Sequence, residues 1–414
     1  MNIAGYKLKD LDLEQTVYCL LAVLVFVIPL SSLASSWIFV VTFICAMVDC
    51  YKRRGEEREC VIPKKIKYCL WGLFVLSAVS VLWSGNVFAS AFNFAWVVGQ
   101  EAGSFWLMLR YGAKGQRPLF LMKVFMISAG IVAIYGIWQY CYGSSVQSPE
   151  WSDKEVFPEL KRRAFSTLEN PNILGSFLVL TVSYCAGIFA PLRGGKTRTF
   201  LIIVFILSCI CLLFTFSRGN WIALFFVLFV FAAFFYHKAF LPFIGGGLMV
   251  LYLGWGILAH RILSIFATED TSVALRFAYI EGTLAMIQEH PWGVGWYGYQ
   301  FAFPEYDFYL MDPTVIMYHC HNLYLNIAAE LGIFGLFLFL YLVWQFFCLA
   351  RHIRKESKIP WIKGIACGYI ASLVGIFIGG LTDYTLFNIQ LGMLFWMSNA
   401  LILNLGWLEG VLDQ

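Results

Sequence analysis

A chain of 414 residues that is 60% hydrophobic and 13% charged, with mean hydropathy +0.74, is too apolar for a water-soluble domain. Its net charge of +4 is small and its basic runs are short stretches between apolar segments, which excludes a nucleic-acid partner. The composition predicts an all-α polytopic membrane protein built as one domain over residues 1–414.

Taken in order, apolar runs that reach or approach the ~20 residues needed to cross a hydrocarbon core occupy 16–34, 36–50, 67–83, 88–109, 118–141, 172–190, 199–216, 220–236, 241–260, 321–350, 361–381 and 389–407. They predict about twelve transmembrane helices. No small-x-small cleavage site follows the first run, so it reads as a retained span rather than a signal peptide. With a cytoplasmic N-terminus, the inner loops hold Lys52 to Arg54, Lys64, Lys65, Lys114, Arg117, Arg193 to Arg198 and Arg351 to Lys358. The outer side keeps only Lys154, Lys161, Arg162, Arg163, Arg218, Arg261 and Arg276. That bias supports the alternation and places both termini in the cytoplasm.

Two outer segments are long. The first, 142–171, is polar and rich in turn residues. The second, 261–320, reads as an outer helical cap: SVALRFAYIEGTLAMIQEH gives an amphipathic helix with Leu275, Tyr279, Gly282 and Met286 on one face. Pro291 stops it, and the aromatic, glycine-rich stretch that follows suits the headgroup level. The twelve cysteines are scattered, mostly inside apolar runs, without the spacing of a structural zinc site. His319-Cys320-His321 is the one conceivable ligand set, and metal binding is not expected there.

Chemistry concentrates around YHCHNLYLNIAAELGIFG, residues 318–335. If the run from Leu323 is a single helix, His321, Ala328, Gly332 and Gly335 fall within about 40° of one line. Small residues on one stripe admit a close neighbour helix, with His321 at its mouth and Glu330 on the opposite face. An imidazole titrates near neutrality and can take a proton from an attacking hydroxyl; a boundary histidine bonded to a loop carbonyl is the plainer alternative. Arg218, in the turn TFSRGNW at the start of an apolar run, suits phosphate at a helix N-terminus and equally suits snorkelling to headgroups. Arg276 on the cap helix and Arg163 in KRRAFSTLENPN have surface readings beside the same anionic one. His319 and Asp383, the latter in GGLTDYTLF, are further possible members. Nothing here has the spacing of a glycosidase carboxylate pair, a P-loop or a GxSxG nucleophile. Guanidinium groups for anionic oxygens and a histidine for a hydroxyl proton suit transfer from a lipid pyrophosphate donor without a metal.

His321-Asn322, nine residues, then Gly332-x-x-Gly335 resembles the HN-x9-GxxG pattern of the O-antigen ligase and polymerase superfamily of bacterial membrane glycosyltransferases. TFSRGNW, RAFSTLENPNILG and HPWGVGWYGY occur in that family's order, so the resemblance covers roughly 160–390. It implies a GT-C-like, metal-independent, inverting enzyme with no cofactor. Such an enzyme moves a glycan from undecaprenyl pyrophosphate to the lipid A-core at the periplasmic face of the inner membrane. Carried onto this chain, His321 is the general base, and Arg218 and Arg276, with Arg163 weaker, bind the pyrophosphate. Membrane lipids are the remaining partners. An O-antigen or related polysaccharide polymerase is the alternative within the superfamily. A transporter or flippase of lipid-linked sugars is the alternative outside it, and suspicious residues at the outer boundary rather than mid-bilayer count against it.

Overall fold

A chain that cannot offer its backbone to water must satisfy every N–H and C=O internally, and this one does so by helices. The computed structural model describes residues 12–53, 62–143, 162–253, 271–309 and 316–412, and no strand occurs among them. The helices are α1 (Leu13–Val27), α2 (Ser32–Lys52), α3 (Lys64–Ser80), α4 (Val87–Tyr111), α5 (Arg117–Tyr142), α6 (Pro171–Phe189) and α7 (Lys196–Phe214). They continue with α8 (Arg218–Val230), α9 (Phe240–Leu253), α10 (Thr271–Glu289), α11 (Leu323–Glu356), α12 (Pro360–Gly379) and α13 (Ile389–Leu408).

Nine of the described helices are long and apolar enough to cross a membrane, consistent with a polytopic membrane protein. The other three of the twelve expected spans are helical but shorter or more polar. Helix α1 has 15 residues, α9 has 14, and α4, with 25, carries Asn93, Gln100 and Glu101. The run expected at 16–34 also ends sooner, because the chain turns at Ile28–Ser31 and the Ser31 hydroxyl caps α2 by accepting from Ala34 N. Helices α6, α12 and α13 form the centre and are almost wholly buried, whereas α2, α3 and α7 sit at the periphery. Glycines let the centre close. A Cβ on Gly187 would collide with the Gly364 carbonyl, and one on Gly368 would lie 2.8 Å from Tyr184 Cα, so α6 and α12 cross backbone to backbone. The peripheral helices turn Trp37, Ile44, Trp71 and Ile203 outward, as a lipid-facing surface does.

Contacts between connections define two ends. At one, Thr167 Oγ1 donates to Pro29 O, Gln390 Nε2 to Ile28 O, Ala164 N to Phe214 O, and Trp296 N to Ser80 Oγ. At the other, Arg53 pairs with Asp12 and Asp49, and Lys114 and Arg117 pair with Glu14. The basic loop clusters belong to this second end, in line with the alternation expected from charge.

Helix α11 departs from the expected single rod. It starts at Leu323 and reaches Glu356, but Gly332 (φ 75°, ψ 171°) breaks it. The break explains the HPWGVGW stretch. Carbonyls of Ala329 and Glu330, released by the break, accept from Val294 N (2.8 Å) and Gly295 N (3.0 Å), while Ile333 N donates to Pro291 O (3.1 Å). An intruding loop thus takes over part of the helical ladder at that step. The supposed stripe fails for this reason. His321 lies outside the helix and Gly332 meets the Trp292 backbone, whereas Gly335 does face another long helix, at Leu76 of α3. In α10, Tyr279 and Met286 are buried and Gly282 abuts Tyr306 O, but Leu275 is exposed, so the expected face is one turn shorter. Tyr279, Met286, Val294, Tyr299, Phe303, Tyr306, Cys320 and Ala329 make a small second core joining α10 to the start of α11. Parts of both long outer segments, including Lys154, Lys161 and Arg261, lie outside the described residues.

Candidate functional site

The site is assembled from four connections at one end of the bundle. Asn322 is the N-cap of α11: its Oδ1 accepts from Tyr324 N and Leu325 N, both at 3.0 Å. Its Nδ2 donates to Leu381 O (3.1 Å), and Leu323 N donates to Gly380 O (2.8 Å). The loop after α12 is therefore docked onto the residues that open α11. Immediately before the cap, His321 adopts φ 53°, a left-handed conformation that costs energy for a non-glycine residue. That conformation turns its ring to Asp383, with Nδ1 and Oδ1 3.0 Å apart.

Asp383 Oδ1 also accepts from Tyr384 N (2.9 Å). Burial pushes the Asp383 carboxyl up. The hydrogen bond from His321 and the charges of His321, His319 and Arg276 outweigh it and hold the group well below the usual carboxylate range. A carboxylate can only accept, so Nδ1 of His321 is the donor in this bond. His319 packs its ring 4.4 Å from that of His321, and its Nδ1 accepts from His321 N (3.2 Å). Burial, with the nearby charge of His321, lowers the His319 imidazole to about 4 against the pull of Asp383, so it is neutral near pH 7. Donor atoms of His319, His321 and Asp383 lie within 4.8 Å of one another, which is compatible with a metal ligand set. Asp383 is the third member of that set. Cys320 is not, because its thiol is buried and turned to Asn322 O (3.3 Å).

The arginines divide. Arg276 lies close enough to act electrostatically on Asp383, and Tyr279, one turn further along α10, stacks 6.0 Å from His321. Arg218 opens α8 and is buried. The two residues after it explain why the turn is built this way. A Cβ on Gly219 would collide with Thr382 Oγ1, which brings this turn against the Asp383 loop. Asn220 ties α8 to α6 through Asn172 O (3.0 Å) and Ser176 Oγ (3.0 Å). Arg163 is engaged elsewhere: its Nε donates to Thr215 O (2.8 Å) and its Nη2 to Asn172 Oδ1 (3.2 Å), supporting the same turn from behind. Arg276, His319, His321 and Asp383 are thus gathered around one point, with Arg218 on the adjoining turn and Arg163 buttressing it.

Residues 203–340 match the O-antigen ligase family model. The matched segment runs from α7 to the middle of α11, a third of the chain, and the match does not separate ligase from polymerase. Arg218, Arg276, His319 and His321 fall inside the matched stretch; Arg163 and Asp383 fall outside it. No curated protein matches the chain.

The sequence marks Asp383 as a possible member of the site but does not show its pairing with His321, and it does not single out Glu101. Asp383 stands 62 residues from His321, and nothing in GGLTDYTLF shows that its loop docks on the α11 cap. Glu101, within an apolar helix, is a carboxylate whose depth alone signals a polar site.

Proposed function

We propose that the chain is an O-antigen ligase, transferring a glycan from undecaprenyl pyrophosphate to a lipid A-core sugar hydroxyl at the periplasmic face of a bacterial inner membrane. The observation that carries this reading is the His321–Asp383 pair, with Nδ1 to Oδ1 at 3.0 Å, held on a capped helix start. Nε2 of His321 takes the proton of the acceptor hydroxyl as its oxygen attacks the anomeric carbon. The bond from that carbon to the pyrophosphate oxygen breaks, with inversion, and lipid pyrophosphate leaves with the electron pair. Arg218 and Arg276 offset the charge that grows on the leaving group, the task for which guanidinium groups are suited. Arg163 acts through the turn that carries Arg218. Asp383 keeps the imidazole in the tautomer and orientation that the attack needs, as in other carboxylate–histidine pairs. No step calls for a metal.

The test is reconstitution with an undecaprenyl-pyrophosphate glycan and rough lipopolysaccharide in the presence of EDTA, with products resolved by mass. Glycan on the lipopolysaccharide is the expected result. Longer glycans still on undecaprenyl pyrophosphate would make the protein a polymerase, and donor binding without any new bond would favour transport.

A further inference from the structure

Beneath the site, between α3, α4, α11 and α13, lies a cavity of about 440 Å³. His319 lines it at the end nearest His321. Glu330 and Trp396 each stand seven residues into their helices, about 10 Å below the helix starts at 1.5 Å per residue. Glu101 reaches the same level from α4, where its Oε2 accepts from Trp396 Nε1 (3.1 Å). Space for this carboxylate is made by Gly392, because a Cβ there would collide with Glu101 Oε1. Asn93, Val97 and Glu101, spaced four apart, put one face of α4 on the cavity. Trp96, Trp396, Phe339 and Phe395 supply aromatic walls.

The polar groups in these walls are anchored. Asn93 Oδ1 accepts from Trp296 Nε1 (2.9 Å), and Asn326 Oδ1 accepts from Cys320 N (3.2 Å), so each amide retains N–H donors. Backbone N–H groups of Tyr297 and Tyr299 lie near the Glu330 carboxylate. A hydrocarbon chain filling this space would face two carboxyl groups and two carboxamides, an unfavourable match. A pyranose offers the complementary surface, with C–H faces for indole and phenyl rings and hydroxyls for carboxylate and amide. The volume suits it too, since small-molecule sites span roughly 300–1,000 Å³ and combine apolar walls with a few fixed polar groups.

We propose that this cavity is a saccharide subsite continuous with the His321 site, in which Glu101 and Asn93 fix sugar hydroxyls while a neighbouring hydroxyl or anomeric carbon lies at His321. The proposal rests on the transferase reading and adds where the glycan goes. Both substrates carry sugars, so the saccharide belongs either to the acceptor or to the lipid-linked donor.

The experiment reads binding apart from turnover. Wild-type protein and Glu101→Leu are placed in nanodiscs, and tryptophan fluorescence is followed, since Trp96, Trp296 and Trp396 line the cavity. Three probes are titrated: lipid-free lipopolysaccharide core oligosaccharide, undecaprenyl pyrophosphate bearing one sugar, and bare undecaprenyl pyrophosphate. One of the two sugar-bearing probes should change the fluorescence, with a Kd raised at least ten-fold in Glu101→Leu, and whichever responds identifies the source. The bare lipid should give no change that Glu101→Leu weakens. A response to bare lipid as large as to either sugar probe, equal in both proteins, would overturn the proposal and make the cavity a chain site. The absence of any saccharide response would overturn it as well. Should Glu101→Leu not fold, Asn93→Leu, two turns nearer the start of α4, carries the same expectation. Saccharide binding without transfer in the reconstituted assay would sink the transferase reading and leave the subsite standing.

Discussion

At the level of single residues, the decisive feature is that His321 is held from two sides. Its backbone is strained into a left-handed conformation and its ring is fixed by Asp383. Replacing His321 with Ala should lower kcat by about 10²- to 10⁴-fold, the usual worth of a general base. Steady-state transfer in proteoliposomes checks this, and near-normal turnover would remove the assignment. Asp383→Asn should also act on kcat, by about 10²-fold, with KM for either substrate little changed. A rise confined to KM would make Asp383 a substrate contact instead. The neighbouring His319 behaves differently under acid. Its folded value of about 4 lies below the ordinary 6.5, so it stays neutral until the pH falls well below neutrality. A fall in transfer between pH 7 and pH 5 therefore reports another group. The acid limb of the pH–rate profile should keep its midpoint in His319→Gln, and a displaced midpoint would show that His319 titrates in the working range. His321, Arg218 and Arg276 stand out in the sequence because charged or titratable side chains are scarce on the side it assigns to the outside. The role of Asp383 was not, because it depends on Asn322 and Leu323 docking a loop from the far side of α12.

At the level of elements, most helices follow directly from apolar length, capping residues and prolines at the first turn. Helix α6, for example, is opened by Asn170 as N-cap and Pro171. The sequence reading failed at α11, where Gly332 looks like one more small residue on a packing stripe. A glycine that lets a neighbour approach and a glycine that breaks a helix look the same in one sequence. Only the loop from Pro291 to Gly295 decides between them, by supplying the hydrogen bonds that the break removes. Gly332→Ala should therefore be costly. Its φ of 75° with ψ of 171° suits glycine alone, and the added Cβ would lie 2.6 Å from Trp292 C. The backbone part alone is worth about 1–3 kcal/mol. Gly99→Ala is the control, because a Cβ there meets nothing within 4 Å and the residue is helical. It should be neutral or stabilising by up to about 1 kcal/mol. Scanning fluorimetry of the two variants should show a clear drop in Tm for Gly332→Ala only. Equal melting of both would mean that the break is not enforced by its surroundings.

Over the whole molecule, charge asymmetry and helix alternation describe the same object. The connections that meet around Pro29, Ser80, Phe214 and Gly380 form the site end, and the Arg53, Lys114 and Arg117 network with Glu14 forms the other. A basic end favours the cytoplasm, so the site end should face the opposite compartment, where the lipid-linked donor would be met. Two exposed positions test the orientation. Leu381 lies beside Asp383 at the site end, and Lys358 lies in the turn between α11 and α12 at the basic end. Each is replaced by cysteine in a background from which the native cysteines have been removed, since Cys141 and Cys348 are themselves exposed. Intact spheroplasts are then treated with a membrane-impermeant maleimide. Leu381→Cys should label at once, and Lys358→Cys only after permeabilisation. Because the described helices pack as one bundle between the two ends, a reversed pattern would invert the bundle rather than one hairpin. It would also put His321 on the cytoplasmic side, where periplasmic transfer to a lipid A-core is impossible. Labelling of both positions in intact cells would break the alternation itself, and with it the assignment of one of the helices between them as a span.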